Sequence, residues 1–243
     1  MGDTHYAAHV DRTKTGSIRR WNAGMLIVSL ALGVLLAGGL VVTIVVGMGW
    51  FTIVIASLGV IACAVSAVLA VRRRRALALL VADDDIALTV GATGVRLAGA
   101  PLIPWEQIVF VGVVDDRERT GQLQRLPLSG ALARATVRAG SPTLLCELGV
   151  RDGVRLRHAF VGARGAAVVT LFDEFDGARR GLVPLMLDAV VDDATAHQAA
   201  QVLIRESERR GIPARSFRKV FEYFEWKGPM IDRKWPVEKG SRA

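Results

Sequence analysis

Chemistry needs nucleophiles, bases or metal ligands at workable spacings, and this chain offers few. His5 and His9 stand four apart, so on a helix they would share a face as a metal pair. No third ligand accompanies them, and incidental spacing is the favoured reading. Asp83-Asp84-Asp85 sets three carboxylates side by side, which could hold a cation but reads first as a solvated turn into a strand. Gly91-Ala92-Thr93-Gly94 and Gly162-Ala163-Arg164-Gly165 are glycine-flanked, but neither leads into the Gly-Lys-Ser/Thr that cradles a phosphate. No Gly-x-Ser-x-Gly elbow and no His-Glu-x-x-His helix occurs. His158 and His197 have no evident Ser or Cys partner. Arg155 and Arg157 alternate along an expected strand, where they could grip an anionic head group; an exposed polar face is the plainer reading. These residues point to no catalytic site, no metal and no bound cofactor.

The elements that would position such groups start with Met25–Val71, which carries no charged side chain. About 20 apolar residues cross a bilayer core as a helix, so this stretch holds two crossings rather than one tilted one. Gly47-Met48-Gly49-Trp50 supplies the break, giving helices over Ala23–Val46 and Trp50–Val71. Residues 76–81 extend the second by a turn or so. The stretch is too long for a signal peptide and lacks a small-residue cleavage site before a polar chain. Small residues recur four apart, Ser29, Gly33, Ala37 and Gly59, Cys63, Ala67, a seam along which two helices could approach closely. No ionisable side chain lies inside either span, so an ion or proton path is not indicated. Trp21 and Trp50 suit the two interfaces. Arg12, Lys14, Arg19 and Arg20 precede the hairpin, and Arg72, Arg73, Arg74 and Arg75 follow it. The positive-inside rule then places both termini in the cytoplasm and the turn outside. Cys63 and Cys146 fall on different sides of the interface and do not pair, as suits a reducing compartment.

The net charge of +8 is unevenly placed. Cations gather beside the apolar stretch and beyond residue 205, while the middle of the chain is mildly acidic. That distribution suits an anionic leaflet and argues against a nucleic-acid domain. Residues 1–22 read as an unstructured cytosolic arm and 23–75 as a transmembrane hairpin. Residues 82–211 read as a cytosolic domain of short antiparallel strands. The strands fall at Ile86–Val90, Val95–Leu97, Leu102–Val114, Pro142–Leu148, Val154–Phe160, Ala166–Phe172 and Leu182–Leu187. Asp115–Gln124 reads as a charged loop, and residues 126–140 as either helix or strand. Asp173–Gly177 reads as an acidic turn. Asp192-Asp193 caps a helix that Gly211 and Pro213 end. Residues 212–243 form a basic aromatic extension. There Phe217, Val220, Phe221 and Phe224 make a helical stripe, with Arg215, Arg218 and Lys219 around it and Trp226 beyond. Such a helix could lie on the membrane, dock into a partner or pack on its own domain; Lys227–Ala243 reads as extended.

Strands followed by one closing helix is the order of a pleckstrin-homology-like (PH-like) domain. Ile103-Pro104-Trp105-Glu106-Gln107-Ile108, after a strand–turn–strand unit with Thr89 and Gly94-Val95, resembles a segment of bacterial PH-like membrane proteins. In those families one or two membrane helices precede the domain. The resemblance covers about residues 20–211 and leaves out the extension; residues 126–140 fit it poorly. It implies a membrane helical hairpin plus an α+β or all-β PH-like domain, antiparallel sheets closed by a C-terminal helix. Trp105 is expected in the core. The function expected is that of a non-catalytic accessory or scaffold protein. It would sit in the inner membrane and bind a partner protein, as in a membrane complex. The alternative is a binder of anionic lipid head groups using Arg155, Arg157 and the tail cations.

Overall fold

The structure, a computed structural model, describes residues 4–81, 85–125, 127, 129–160 and 166–233. Asp83, Asp84, the 162–165 loop and residues 234–243, on which expectations were placed, lie outside the described residues.

The chain opens on a strand rather than a loose arm. β1 (Thr4–His9) pairs antiparallel with β2 (Ile86–Gly91), with Tyr6 opposite Val90 and Ala8 opposite Leu88. Ala8 is fully buried. Helix α1 then starts at Arg12, well before Ala23, and runs to Val45. The Asp11 carboxylate accepts from the Lys14 amide at 2.9 Å and so caps the helix start. The early turns form because they have a surface to bury: Thr15, Ile18 and Asn22 fall on one face and are buried. Gly47, with φ +70°, makes the turn. Helix α2 (Trp50–Leu80) continues through the arginines, and Ala76, Leu77 and Leu80 bury on its far end.

Two sheets follow. The first has the order β1-β2-β3-β4, with β3 at Gly94–Leu97 and β4 at Ile103–Pro104. A Cβ at Gly94 would lie 2.2 Å from the Ile103 carbonyl oxygen, so the pairing of β3 with β4 requires glycine there. The expected long strand 102–114 is interrupted by a 3-10 turn at Trp105–Gln107 before β5 (Ile108–Asp115). Trp105 is 5% exposed and its indole N–H donates to the Gly91 carbonyl at 2.9 Å.

The second sheet has the order β7-β8-β6-β5-β9. β6 is Leu144–Val150, β7 Thr170–Phe175 and β8 Ala178–Leu185. Asp176 and Gly177, both at positive φ, close the β7–β8 hairpin. The acidic turn expected at Asp173–Gly177 is therefore only its last two residues; Asp173 and Glu174 are in the strand. Between β5 and β6 lie two helices, α3 (Arg117–Gln124) and α4 (Ser129–Arg138). The charged loop expected at Asp115–Gln124 is thus mostly helix, because Arg, Glu, Gln and Leu are good helix formers as well as polar. The expected strand Val154–Phe160 is helix α5 (Gly153–Ala159), which the Asp152 carboxylate caps by accepting from the Arg155 amide at 2.8 Å.

Helix α6 (Asp193–Glu208) starts as read: the Asp192 carboxylate accepts from the Ala194 and Thr195 amides at 3.0 Å each. Its Ala196, Ala199, Ala200 and Leu203 join both sheets in one core. Past Gly211 the chain does not leave. β9 (Ala214–Phe217) adds to the sheet parallel to β5, and helix α7 (Val220–Ile231) packs on that sheet's other face. Lys227–Ile231, expected extended, belongs to this helix. β5 reads as one long apolar run because both its faces are covered: Val111 and Val113 point into the main core, Phe110 and Val114 toward α7.

Candidate functional site: the hairpin base and the groove beside helix α5

The sequence seam holds at Ser29, Gly33, Gly59 and Cys63, while Ala37 faces outward. Ser29 and Ser66 share a hydrogen bond of 2.8 Å, a Cβ at Gly33 would stand 3.3 Å from Cys63 Cβ, and one at Gly59 would stand 3.0 Å from Leu36. Away from the seam the hairpin faces outward, with Val45 80%, Leu35 73% and Trp50 75% exposed. Both helices are long and apolar enough to cross a membrane, and no residue in the most apolar window of α1 is buried. A helix buried in the centre of a water-soluble globule does not look like this.

The hairpin is clamped to the domain at its base. β1 precedes it, β2 follows it, and the two are hydrogen-bonded, so both flanks lie on one side of whatever the hairpin crosses. The Val10 amide donates to the Asp85 carbonyl at 2.8 Å and the Asp11 amide to Val190 at 2.7 Å. Lys14 donates to the Val191 carbonyl at 3.0 Å and pairs with Asp193 at 2.8 Å. Arg12 pairs with Asp85 at 2.5 Å. Asn22 donates to the Ala70 carbonyl at 2.9 Å, holding the two helices level. Gly140, at φ +86°, ends α4 against Ile18; a Cβ there would stand 2.6 Å from the isoleucine. Below this, Asp188 accepts from the Thr143 amide (2.6 Å), the Thr143 hydroxyl (2.8 Å) and the Leu144 amide (2.9 Å). Burial pushes this carboxyl above the usual range, against the pull of those bonds.

The expected interfacial residues stand around this base. Arg72, Arg74 and Arg75 are exposed, while the half-buried Arg73 donates to the Ser141 hydroxyl at 3.5 Å. Trp21 is 45% exposed, with the Arg138 guanidinium 5.6 Å from its ring centre. Trp50 sits at the opposite end of the hairpin, edge-on to Phe51.

Arg155 and Arg157 do not share a face. On a helix two residues apart point about 200° apart. Arg157 turns inward and donates through Nε and Nη2 to the Val169 carbonyl at 2.8 and 2.6 Å, capping backbone rather than awaiting a ligand. Arg155 remains exposed. It stands between two adjoining depressions. One, of about 290 Å³, lies between α5 and the 101–107 segment and is lined by Leu102, Pro104, Gln107 and Leu156. The other, of about 520 Å³, faces His158, Glu174 and Arg179. Apolar walls beside the exposed Arg155 and the carboxylates Glu106 and Asp152 suit a peptide better than bond-making chemistry.

The tail residues divide. Phe217 is buried at 5% exposure and Trp226 packs on it (ring centres 5.2 Å) and on Phe110 (5.5 Å). Phe221 (76%) and Phe224 (46%) point outward. Phe217 is on a strand, so the expected helical stripe is broken: the face α7 buries is Tyr223, Lys227 and Ile231. Arg215 stacks on Phe217 at 5.2 Å, Arg218 is exposed, and Lys219 pairs with Glu222 at 3.0 Å. Under α7 lies a polar cluster that periodicity did not disclose. Glu147 of β6, 8% exposed, accepts from the Tyr223 hydroxyl and pairs with Lys227 at 2.5 Å. A Cβ at Gly112 would lie 2.3 Å from the Tyr223 ring, so glycine makes room for it. The only sequence sign was an isolated Glu inside an apolar strand.

Cys146, Tyr223 and His197 are each occupied or suppressed. Burial, then the Glu147 charge, pushes both the Cys146 thiol and the Tyr223 phenol up, so neither ionises near neutrality. His197 is held between the Asp193 carbonyl (2.6 Å) and Asp115 (3.4 Å). Among the described residues no three His, Cys, Asp or Glu side chains gather closely enough to hold a metal ion. No protein-family model, curated protein or solved structure matches this chain.

Proposed function

We propose that the protein is a non-catalytic accessory or scaffold subunit of a bacterial inner-membrane complex. It is a two-pass protein with both termini in the cytoplasm, and its PH-like domain binds a partner protein. The observation that carries this reading is the insertion of the hairpin within a sheet. A domain joined by one linker samples many orientations; one whose first strand lies before the hairpin and second strand after it is held at a set angle to the bilayer. Fixed orientation lowers the ordering cost of a partner in the same membrane. The PH-like assignment is supported by two antiparallel-rich sheets around α6 and by the buried Trp105 of the Ile-Pro-Trp segment. The cytoplasmic orientation is supported by the arginines at the base and the uncharged turn.

The groove lined by Leu102, Gln107 and Arg155 is the partner site in this reading. A photo-crosslinking residue placed at Leu102 in the full chain in cells should give one discrete adduct that Arg155→Glu weakens severalfold. A photo-crosslinking residue at Glu118, exposed on α3 past the opposite end of β5 from the groove, should give none. Equal adducts from both positions, or none from Leu102, would contradict partner binding there. Lipid recognition by an Arg155–Arg157 pair loses its geometric basis. The cations that favour a lipid reading are those at the hairpin base.

A further inference from the structure

Helices α3 and α4 form an insert between β5 and β6, and α4 ends against the base of the hairpin, where Ile18 and Leu77 join the domain core. A Cβ at Gly140 would stand 2.6 Å from Ile18 and 4.0 Å from Leu77, one residue from each membrane helix. The height of this contact follows from helix geometry. Met25 is the first residue of the uncharged stretch, and at 1.5 Å per residue Trp21 lies about 6 Å and Ile18 about 10 Å beyond it. The head-group layer on each side of a bilayer is about 5–8 Å deep. In the membrane-anchored reading, on which this inference rests, the Trp21–Arg138 stack therefore lies at phosphate depth, and Arg73 with Ser141 lies beside it.

Among the described residues the charges at that height are of one sign. Among the described residues no carboxylate lies within 4.0 Å of Arg19, Arg20, Arg73, Arg74, Arg75 or Arg138. Asp85, just before β2, is already paired with Arg12. Bringing α4's last arginine onto a helix pair that already carries four in a row costs Coulomb energy unless an anion compensates. Glycine at position 140 nonetheless fixes that approach, through its positive φ and its contact with Ile18.

We propose that the junction of α4 with the hairpin base binds the phosphate of an anionic phospholipid. Arg73 and Arg138 are its ligands and Trp21 flanks the glycerol. Two guanidiniums from different elements then share one phosphate by charge-assisted hydrogen bonds, and the lipid cements the insert to the anchor.

The test uses the full chain in detergent, titrated with phosphatidylglycerol or phosphatidylcholine and read by native mass spectrometry. Wild type should retain one phosphatidylglycerol in preference to phosphatidylcholine. The pair R73Q/R138Q should lower that retention at least fivefold, while R96Q/R205Q, the same charge loss at exposed arginines elsewhere, should not. If the glutamine pair fails to fold, R73K/R138K keeps the charge without the fork and should bind more weakly than wild type. Equal retention of the two lipids, or wild-type retention by either base variant, would overturn the proposal. So would displacement of the lipid by millimolar inorganic phosphate, which would make this a free-anion site. Carbonate extraction of cell membranes separates the two readings. Release of the chain removes the anchor itself, whereas a resistant chain without lipid preference removes the lipid site alone.

Discussion

The hairpin and the α7 face of the larger sheet solve the same packing problem in two solvents. Each brings backbone close by placing glycine at the contact: Gly33 and Gly59 between the membrane helices, Gly112 beneath Tyr223 and Gly149 beneath Phe110. In lipid no hydrophobic drive pulls helices together, so the hairpin relies on close packing, the Ser29–Ser66 bond and the Asn22–Ala70 bond at its base. On the water side, burial of Phe110, Phe217 and Ile231 drives α7 onto the sheet, and that drive carries a desolvated charge pair with it. The comparison teaches that the apolar half is uniform and held by shape. The water-facing half tolerates a polar cluster only because every partner is supplied.

If that contrast is right, the largest loss comes from leaving a charge alone under α7. Lys227→Ala should cost about 3–5 kcal/mol, because Glu147 is left buried without its cation. The joint change Glu147→Leu, Lys227→Met and Tyr223→Phe, which leaves no member of the cluster unpaired, should recover most of it. Denaturant midpoints in detergent check both; a mild K227A would mean that α7 contributes little to the fold.

A smaller effect comes from Asp188, whose carboxyl burial holds above the usual range near 3.8. The unfolded chain then loses this proton first, so the native state binds more protons between the two values. The contribution of this group is greatest below the ordinary carboxylate value and declines as pH rises through the raised one. Asp188→Asn keeps an acceptor for Thr143 and Leu144 and removes the titration. Its stability should vary less with pH from 4 upward than that of wild type. An unchanged slope in D188N would show that the group does not titrate in that window.

Smallest is Ser29→Ala. Interhelical hydrogen bonds in lipid average about 0.6 kcal/mol, so the melting temperature should shift by only a degree or two. A shift as large as that of K227A would erase the contrast between the two regions.

The parts legible in the sequence were those with one strong local cause. Uncharged length disclosed the hairpin, small residues disclosed its seam, and Asp192 with Gly211 and Pro213 disclosed α6. The parts missed were set by distant partners. Thr4–His9 is a strand only because Leu88, Thr89 and Val90 wait across the hairpin. Val154-Arg155-Leu156-Arg157 alternates like a strand, and the Asp152 cap makes it a helix. Phe217 falls at helical spacing from Phe221 and Phe224 yet lies on β9, where pairing with β5 overrides local periodicity. Of the candidate site, Arg155 and the arginines at the base were visible as residue types. The groove and the α4 junction were not, because chain segments far apart in sequence build them.

The most direct test concerns the clamp between β1 and β2. Single cysteines replace Arg12, Gly49 and Lys219 in a background with Cys63 and Cys146 changed to Ala, and a membrane-impermeant maleimide is applied to intact cells. Gly49→Cys should label at once, and R12C and K219C only after the membrane is permeabilised, all three in chains that remain membrane-bound. Labelling of K219C from outside, or of R12C and K219C from opposite sides, would contradict an anchor inserted within the sheet of a cytoplasmic domain.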